Sequence, residues 1–163
     1  MQIQGTRALI TGGSEGIGRA IAAALAAKGA QVGIMGRHAE TVKKAADELK
    51  VTAFVGDVGH EDDAQRVVKE FVEKMGGIDI LVNNAGIGGG AELVDLDLGT
   101  FETVFRTNVI GAMLMGREAA RRFVAQGTGG QLINISSTSG LSGGKGATAY
   151  SGSKLALRGM TEC

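Results

Sequence analysis

The sequence predicts an α/β fold built as a doubly wound parallel sheet. Three observations lead there. Short runs that are almost wholly apolar alternate with helical patterns along the chain, and such runs suit strands buried on both faces of a parallel sheet. The first of these runs ends in a glycine-rich turn that opens directly into an alanine-rich helix. The chain has 163 residues, 44% of them hydrophobic, which is enough for one domain with its own core. Right-handed crossovers then put helices on both sides of the sheet.

The elements follow in order. Residues 7–11 read as the first strand and 17–27 as an Ala-rich helix that Gly29 ends. Residues 31–35 form the second strand. Residues 40–50 are helical, with Lys43, Lys44, Asp47 and Glu48 turned outward. Residues 52–55 are the third strand, closed by Gly56 and Asp57. Ala64, Val67, Val68, Phe71, Val72 and Met75 then recur at helical spacing, the stripe of an amphipathic helix. Glu61, Asp62 and Asp63 in its first turn suit the positive end of a helix dipole. Residues 78–82 are the fourth strand. The pattern next predicts one long helix over 101–125, with Phe101, Val104, Phe105, Val109, Ala112 and Met113 on one face. Residues 131–135 are the fifth strand, and 149–163 begin a further helix. No repeat or linker divides the chain, so 1–163 is expected to be a single domain.

Composition excludes several classes. Lys plus Arg and Asp plus Glu are both 17, for a formal net charge of zero. That argues against nucleic-acid or membrane-surface binding through bulk electrostatics. No apolar run approaches the ~20 residues that span a bilayer. A strand beginning at Arg7 leaves no room for a signal peptide. The single cysteine, Cys163, allows no internal disulfide, which fits a cytoplasmic protein. His38 and His60 sit in loops without Cys or carboxylate clusters at ligand spacing, so no metal site is expected. The 28 glycines and the absence of proline depart from average usage of about 7% and 5%. In a patterned chain those glycines belong at turns and close backbone approaches.

Five motifs carry chemistry. The turn after the first strand reads Thr11-Gly12-Gly13-Ser14-Glu15-Gly16-Ile17-Gly18. A strand, this turn and a helix make a dinucleotide-binding arrangement. Gly12 permits the tight turn, Gly16 lets backbone approach a pyrophosphate, and Gly18 lets helix pack near strand. Asn83-Asn84-Ala85-Gly86 follows the fourth strand. Ser137 follows the fifth, thirteen positions before Tyr150. Tyr150 and Lys154 stand four apart on one helix, so their side chains share a face. Tyr150 is the only tyrosine of the chain. Asn108 interrupts an apolar helix, where asparagine is unfavourable and a buried amide needs partners.

Together these motifs resemble the short-chain dehydrogenase/reductase family, nearest its 3-oxoacyl-[acyl-carrier-protein] reductase branch. The resemblance runs from Gly5 to Cys163. It implies a Rossmann-like sheet, a homo-oligomer, and an NAD(P)-dependent oxidoreductase acting on a small carbonyl or alcohol substrate. A ketone and a secondary alcohol would be interconverted by hydride transfer. Tyr150 would be the general acid/base, Lys154 its neighbour and a holder of the nicotinamide ribose, and Ser137 the residue that positions the substrate oxygen. A phenol ordinarily titrates near ~10, and an adjacent ammonium with an oxidised nicotinamide would favour its ionised form. Ser136 and Ser139 stay open as alternatives to Ser137 by composition alone. Asn108 would hold a water in a helix irregularity, or else make a structural hydrogen bond to a neighbouring loop. Cofactor contacts carried over are Gly12, Ser14, Glu15, Gly16, Ile17, Gly18, Asp57, Val58, Asn84, Ala85, Gly86, Tyr150 and Lys154. Asp57 would meet the adenine amino group, or else cap the following helix.

Arg37 bears on which cofactor binds. NAD enzymes of this kind place a carboxylate at the end of the second strand, whereas here that end reads Met35-Gly36-Arg37-His38. A guanidinium there can pair with a 2′-phosphate. NADP(H) is therefore expected over NAD(H), although Glu15 counts against it and a merely solvated Arg37 is the alternative. The resemblance also implies two further strands, a substrate-covering loop and a Pro-Gly segment, none of which these residues contain. An incomplete member is expected, and with it a second reading, a catalytically impaired nucleotide-binding fragment or assembly subunit.

Overall fold

The computed structural model describes residues 2–163. Its strands are β1 (Arg7–Thr11), β2 (Gln31–Gly36), β3 (Thr52–Val55), β4 (Ile80–Asn83) and β5 (Gln131–Asn134). They make one parallel sheet in the order β3-β2-β1-β4-β5. The helices are α1 (Gly16–Ala27), α2 (Ala39–Leu49), α3 (Glu61–Met75), α4 (Leu98–Phe105), α5 (Gly111–Gln126) and α6 (Thr148–Glu162). The doubly wound α/β sheet read from the sequence is thus the observed architecture.

Period-two alternation sorts the core into two layers. Ala8 and Ile10 of β1 face one side with Ile34 and Val82, where Ala22, Val42, Ala45 and Ala46 of α1 and α2 cover them. Leu9, Met35 and Leu81 face the other side, against Val67, Val68 and Phe71 of α3 and Met115 of α5. Strand β1 sits in the middle, so Ala8, Leu9 and Ile10 are fully buried. Its entry is held by a fork. Arg7 donates from Nε and Nη2 to the two carboxylate oxygens of Asp79, at 2.7 and 2.6 Å. The Arg7 backbone N–H reaches the same carboxylate at 2.8 Å.

Some boundaries and faces differ from the expectation. The fourth strand begins at Ile80, not at residue 78, because Gln126 takes both backbone groups of Ile78. The helix expected over 101–125 begins earlier, where Asp97 accepts from the Thr100 N–H and hydroxyl, and it is broken by a π-turn at Arg106–Ile110. One extra residue in that turn rotates the downstream face. Met113 is consequently exposed, and Leu114 and Met115 are buried instead. The fifth strand, apolar in sequence, is an edge, with Leu132 and Ile133 about two-fifths exposed. The second helix ends at Leu49, and Lys50 turns into the left-handed region at φ 56°.

Candidate active site

The strand ends place most of the predicted residues along one groove. The Gly-rich turn joins β1 to α1, and Asn84 locks it from β4. Asn84 Nδ2 donates to the carbonyls of Thr11 and Gly12, both at 3.0 Å. Thr11 Oγ1 answers by accepting the N–H groups of Asn84 and Ala85 at 3.1 and 3.0 Å. Gly18 is buried where any Cβ would collide with the Gly12 carbonyl and the Asn84 amide. Gly16 has φ 54°, and the place of its missing Cβ is open space. Glu15 makes no side-chain cap on α1. The first-turn N–H groups are therefore left for an anion, as a dinucleotide pyrophosphate requires.

Two adjoining cavities occupy this groove. The first, about 250 Å³, is lined by Gly12, Ser14 and Glu15 and by Arg37, Asp57 and Val58 from the ends of β2 and β3. Ala85 and Gly86 are shared with the second, of about 400 Å³. That one is bounded by Ser14, Ile17, Asn84, Ser136, Tyr150 and Lys154. Ile17 is largely exposed to it. Together the two cavities run from Arg37 at one end to Tyr150 at the other.

Lys154 is the most constrained of these side chains. It is buried, its Nζ donates to the Ile135 carbonyl at 2.8 Å, and it lies 5.8 Å from the centroid of the Tyr150 ring. Burial pushes its pKa below the ordinary lysine value. Asn108 lies in the π-turn, buried. Its Nδ2 donates to the Ile87 carbonyl at 3.0 Å and to Ser153 Oγ at 2.9 Å, while its Oδ1 accepts from the Ile87 N–H at 2.8 Å. The structural bond to a neighbouring loop is therefore present, made from an irregular turn of the helix. Ser153 passes the link on, donating to the Tyr150 carbonyl at 2.7 Å.

Ser137 stands differently, and for Asp57 only the capping alternative fails. Ser137 does not line the cavities; its Oγ accepts from the Ser139 N–H at 3.1 Å, while Ser136 faces the groove. Asp57 does not cap α3. Its Oδ1 accepts from the Gly59 N–H, and its own N–H goes to Asp63 Oδ2, both at 2.8 Å. That bond and Arg66 hold Asp63 below the usual carboxylate range.

Sequence reasoning passed over Thr11 and Ser153. A threonine ending an apolar run, and a serine inside the Tyr-to-Lys spacing, were the available signals. It also passed over the amide link from Asn83 to Asn134 and on to Thr161 of α6, at 3.0 and 2.8 Å. Among the described residues no group of His, Cys, Asp and Glu could hold a metal ion, and no helix is long and apolar enough to cross a membrane.

Known proteins share this arrangement. The chain is 37% identical to a human 3-oxoacyl-[acyl-carrier-protein] reductase over 93% of its own length and 65% of the reductase. It is 35% identical to a sorbitol dehydrogenase of Cereibacter sphaeroides, over 99% of this chain and 64% of that one. It thus spans less than two thirds of both. A short-chain type dehydrogenase/reductase from Mycobacterium marinum superposes with a TM-score of 0.94 at 36% identity, covering 99% of this chain and 68% of that structure. The family profile described as short chain dehydrogenase matches residues 6–163. With that match extending over the turn, the groove and the Tyr150 helix alike, the chain belongs to the short-chain dehydrogenase family.

Proposed function

We propose that this chain works as one dinucleotide-binding unit of an oxidoreductase that interconverts a ketone and a secondary alcohol, with NADP(H) preferred to NAD(H). The observation that carries the reading is the shared cavity. Tyr150 and Lys154 border the same space as Gly12, Ser14 and Ile17 of the nucleotide turn. The nicotinamide ring of the bound cofactor supplies or accepts the hydride. Gly12, Ser14 and Gly16 would hold the pyrophosphate, with Gly18 letting α1 pack close to the strand end and Glu15 and Ile17 at the rim. Arg37, Asp57 and Val58 would hold the adenosine end, and Asn84, Ala85 and Gly86 the floor.

Tyr150 gives its hydroxyl proton to the substrate oxygen in reduction and takes it back in oxidation. Lys154 fixes the ribose and, as a cation beside the ring, steadies the ionised phenol. Asn108 ties the π-turn to α6 through Ser153 and so keeps Tyr150 in register. Ser137 would hydrogen-bond the substrate oxygen after turning away from Ser139. The human relative's name makes a 3-oxoacyl group the first substrate class to try. Ile110 and Met113, exposed at the π-turn and on α5, support assembly into a homo-oligomer through that face.

A second reading, nucleotide binding without turnover, has its own support. The Ser137 hydroxyl is engaged by its own turn and stands outside the cavities. One assay separates the two. The purified chain is mixed with NADPH and a short β-keto ester, and absorbance of the reduced nicotinamide is followed. Loss of absorbance that disappears in Tyr150→Phe is the expected result. Bound NADPH that is never oxidised overturns the catalytic reading in favour of the second.

A further inference from the structure

We propose that Asp57 is a specificity-determining residue whose carboxylate opposes Arg37 and narrows the margin between 2′-phosphorylated and unphosphorylated dinucleotides. The proposal rests on the dinucleotide reading above. Arg37 leaves the end of β2 and Asp57 the end of β3, neighbouring strands of the sheet, and both line the adenosine-side cavity. Arg37 Nη1 stands 3.8 Å from Asp57 Oδ2. The carboxylate is held in that place by its own turn, through the Gly59 N–H at Oδ1, rather than by Arg37.

The rest of the charge around the site leans the same way. Glu15 lines the same cavity, so two carboxylates stand against one guanidinium. His38 also lines it, and His60 Nδ1 lies 3.9 Å from Asp57 Oδ2. A phosphate drawn to Arg37 meets the negative charge of Asp57 beside it. A ribose hydroxyl carries no charge to be repelled, and it can donate to a carboxylate. Asp57 therefore weakens the phosphorylated ligand and favours the plain one, through the same oxygen.

The test removes the charge and keeps the shape. Asp57→Asn retains an oxygen for the Gly59 N–H and neutralises the side chain; Asp57→Ser does the same with a hydroxyl. Asp57→Glu keeps the charge. Each is titrated calorimetrically, beside the unaltered chain, with adenosine 2′,5′-bisphosphate and with adenosine 5′-monophosphate. The expected result is a ratio of affinities, bisphosphate over monophosphate, that rises about 5-fold in the Asn and Ser variants. In Asp57→Glu the ratio stays at its original value. Equal weakening of both ligands in the neutral variants, with the ratio unmoved, makes Asp57 an adenine contact only and overturns the proposal. A rise that Asp57→Glu shares assigns the effect to the turn and overturns it as well. An unaltered chain that binds neither ligand overturns the dinucleotide reading and this proposal with it.

Discussion

Asn108 joins three parts of the site with one amide. It grips both backbone groups of Ile87 and the hydroxyl of Ser153, with almost no exposure to solvent. Replacing it by alanine strands those partners in a dry place, and stranded polar groups cost more than a mean hydrogen bond returns. Asn108→Ala is expected to lower unfolding free energy by about 2–4 kcal/mol, read from the midpoint and slope of a urea transition. The oddity of Asn108 was legible in the sequence, because an amide in an apolar helical stripe breaks the pattern. The Tyr150–Lys154 pair was legible too, since a four-residue spacing on a helix is local geometry. The Arg37–Asp57 pair was not. Those residues meet only because β2 and β3 lie side by side, and strand order is not a local property. The engagement of Ser137 by Ser139 was hidden for another reason, because a run of serines and glycines has no periodicity to orient any one hydroxyl.

Elements show where local pattern gives way to tertiary context. Every strand and helix expected from periodicity exists, and most begin or end within a residue or two of the expectation. The misjudged face of the long helix traces to the π-turn, which sequence spacing cannot count. The late start of β4 traces to Gln126, a side chain that arrives from α5. The tie between β1 and β4 is electrostatic at its base. The Arg7 guanidinium holds Asp79 below the usual aspartate range. A carboxyl whose folded pKa is depressed adds stability above its unfolded value, about 3.9, and loses it as pH falls through the folded value. The melting temperature of the unaltered chain should therefore exceed that of Asp79→Asn most at neutral pH. Scans from pH 7 down to pH 2 should show that difference shrinking in the acid range, whereas a constant difference would remove the charge from the explanation.

For the whole molecule, the sheet has two edges, β3 and β5. Strand β5 presents Leu132 and Ile133 to solvent, and an apolar edge with unpaired backbone groups invites pairing with another chain. Ile133→Lys should reduce light scattering of concentrated protein while leaving its far-ultraviolet spectrum unchanged. More scattering in that variant would mean that the side chain packs inward and not toward a neighbour.

The lock between Asn84 and the nucleotide turn has a consequence in time. Its four hydrogen bonds, three from Asn84 and one from Ala85, join residues 72 to 74 positions apart. No short segment can make that contact alone, and closing so long a loop is an entropic cost met before any reward. During refolding, then, helices return first and the ability to capture a nucleotide returns with the last cooperative step. A ligand present throughout would pull on the finished state alone, slowing its opening while leaving the early phases of folding as fast as before.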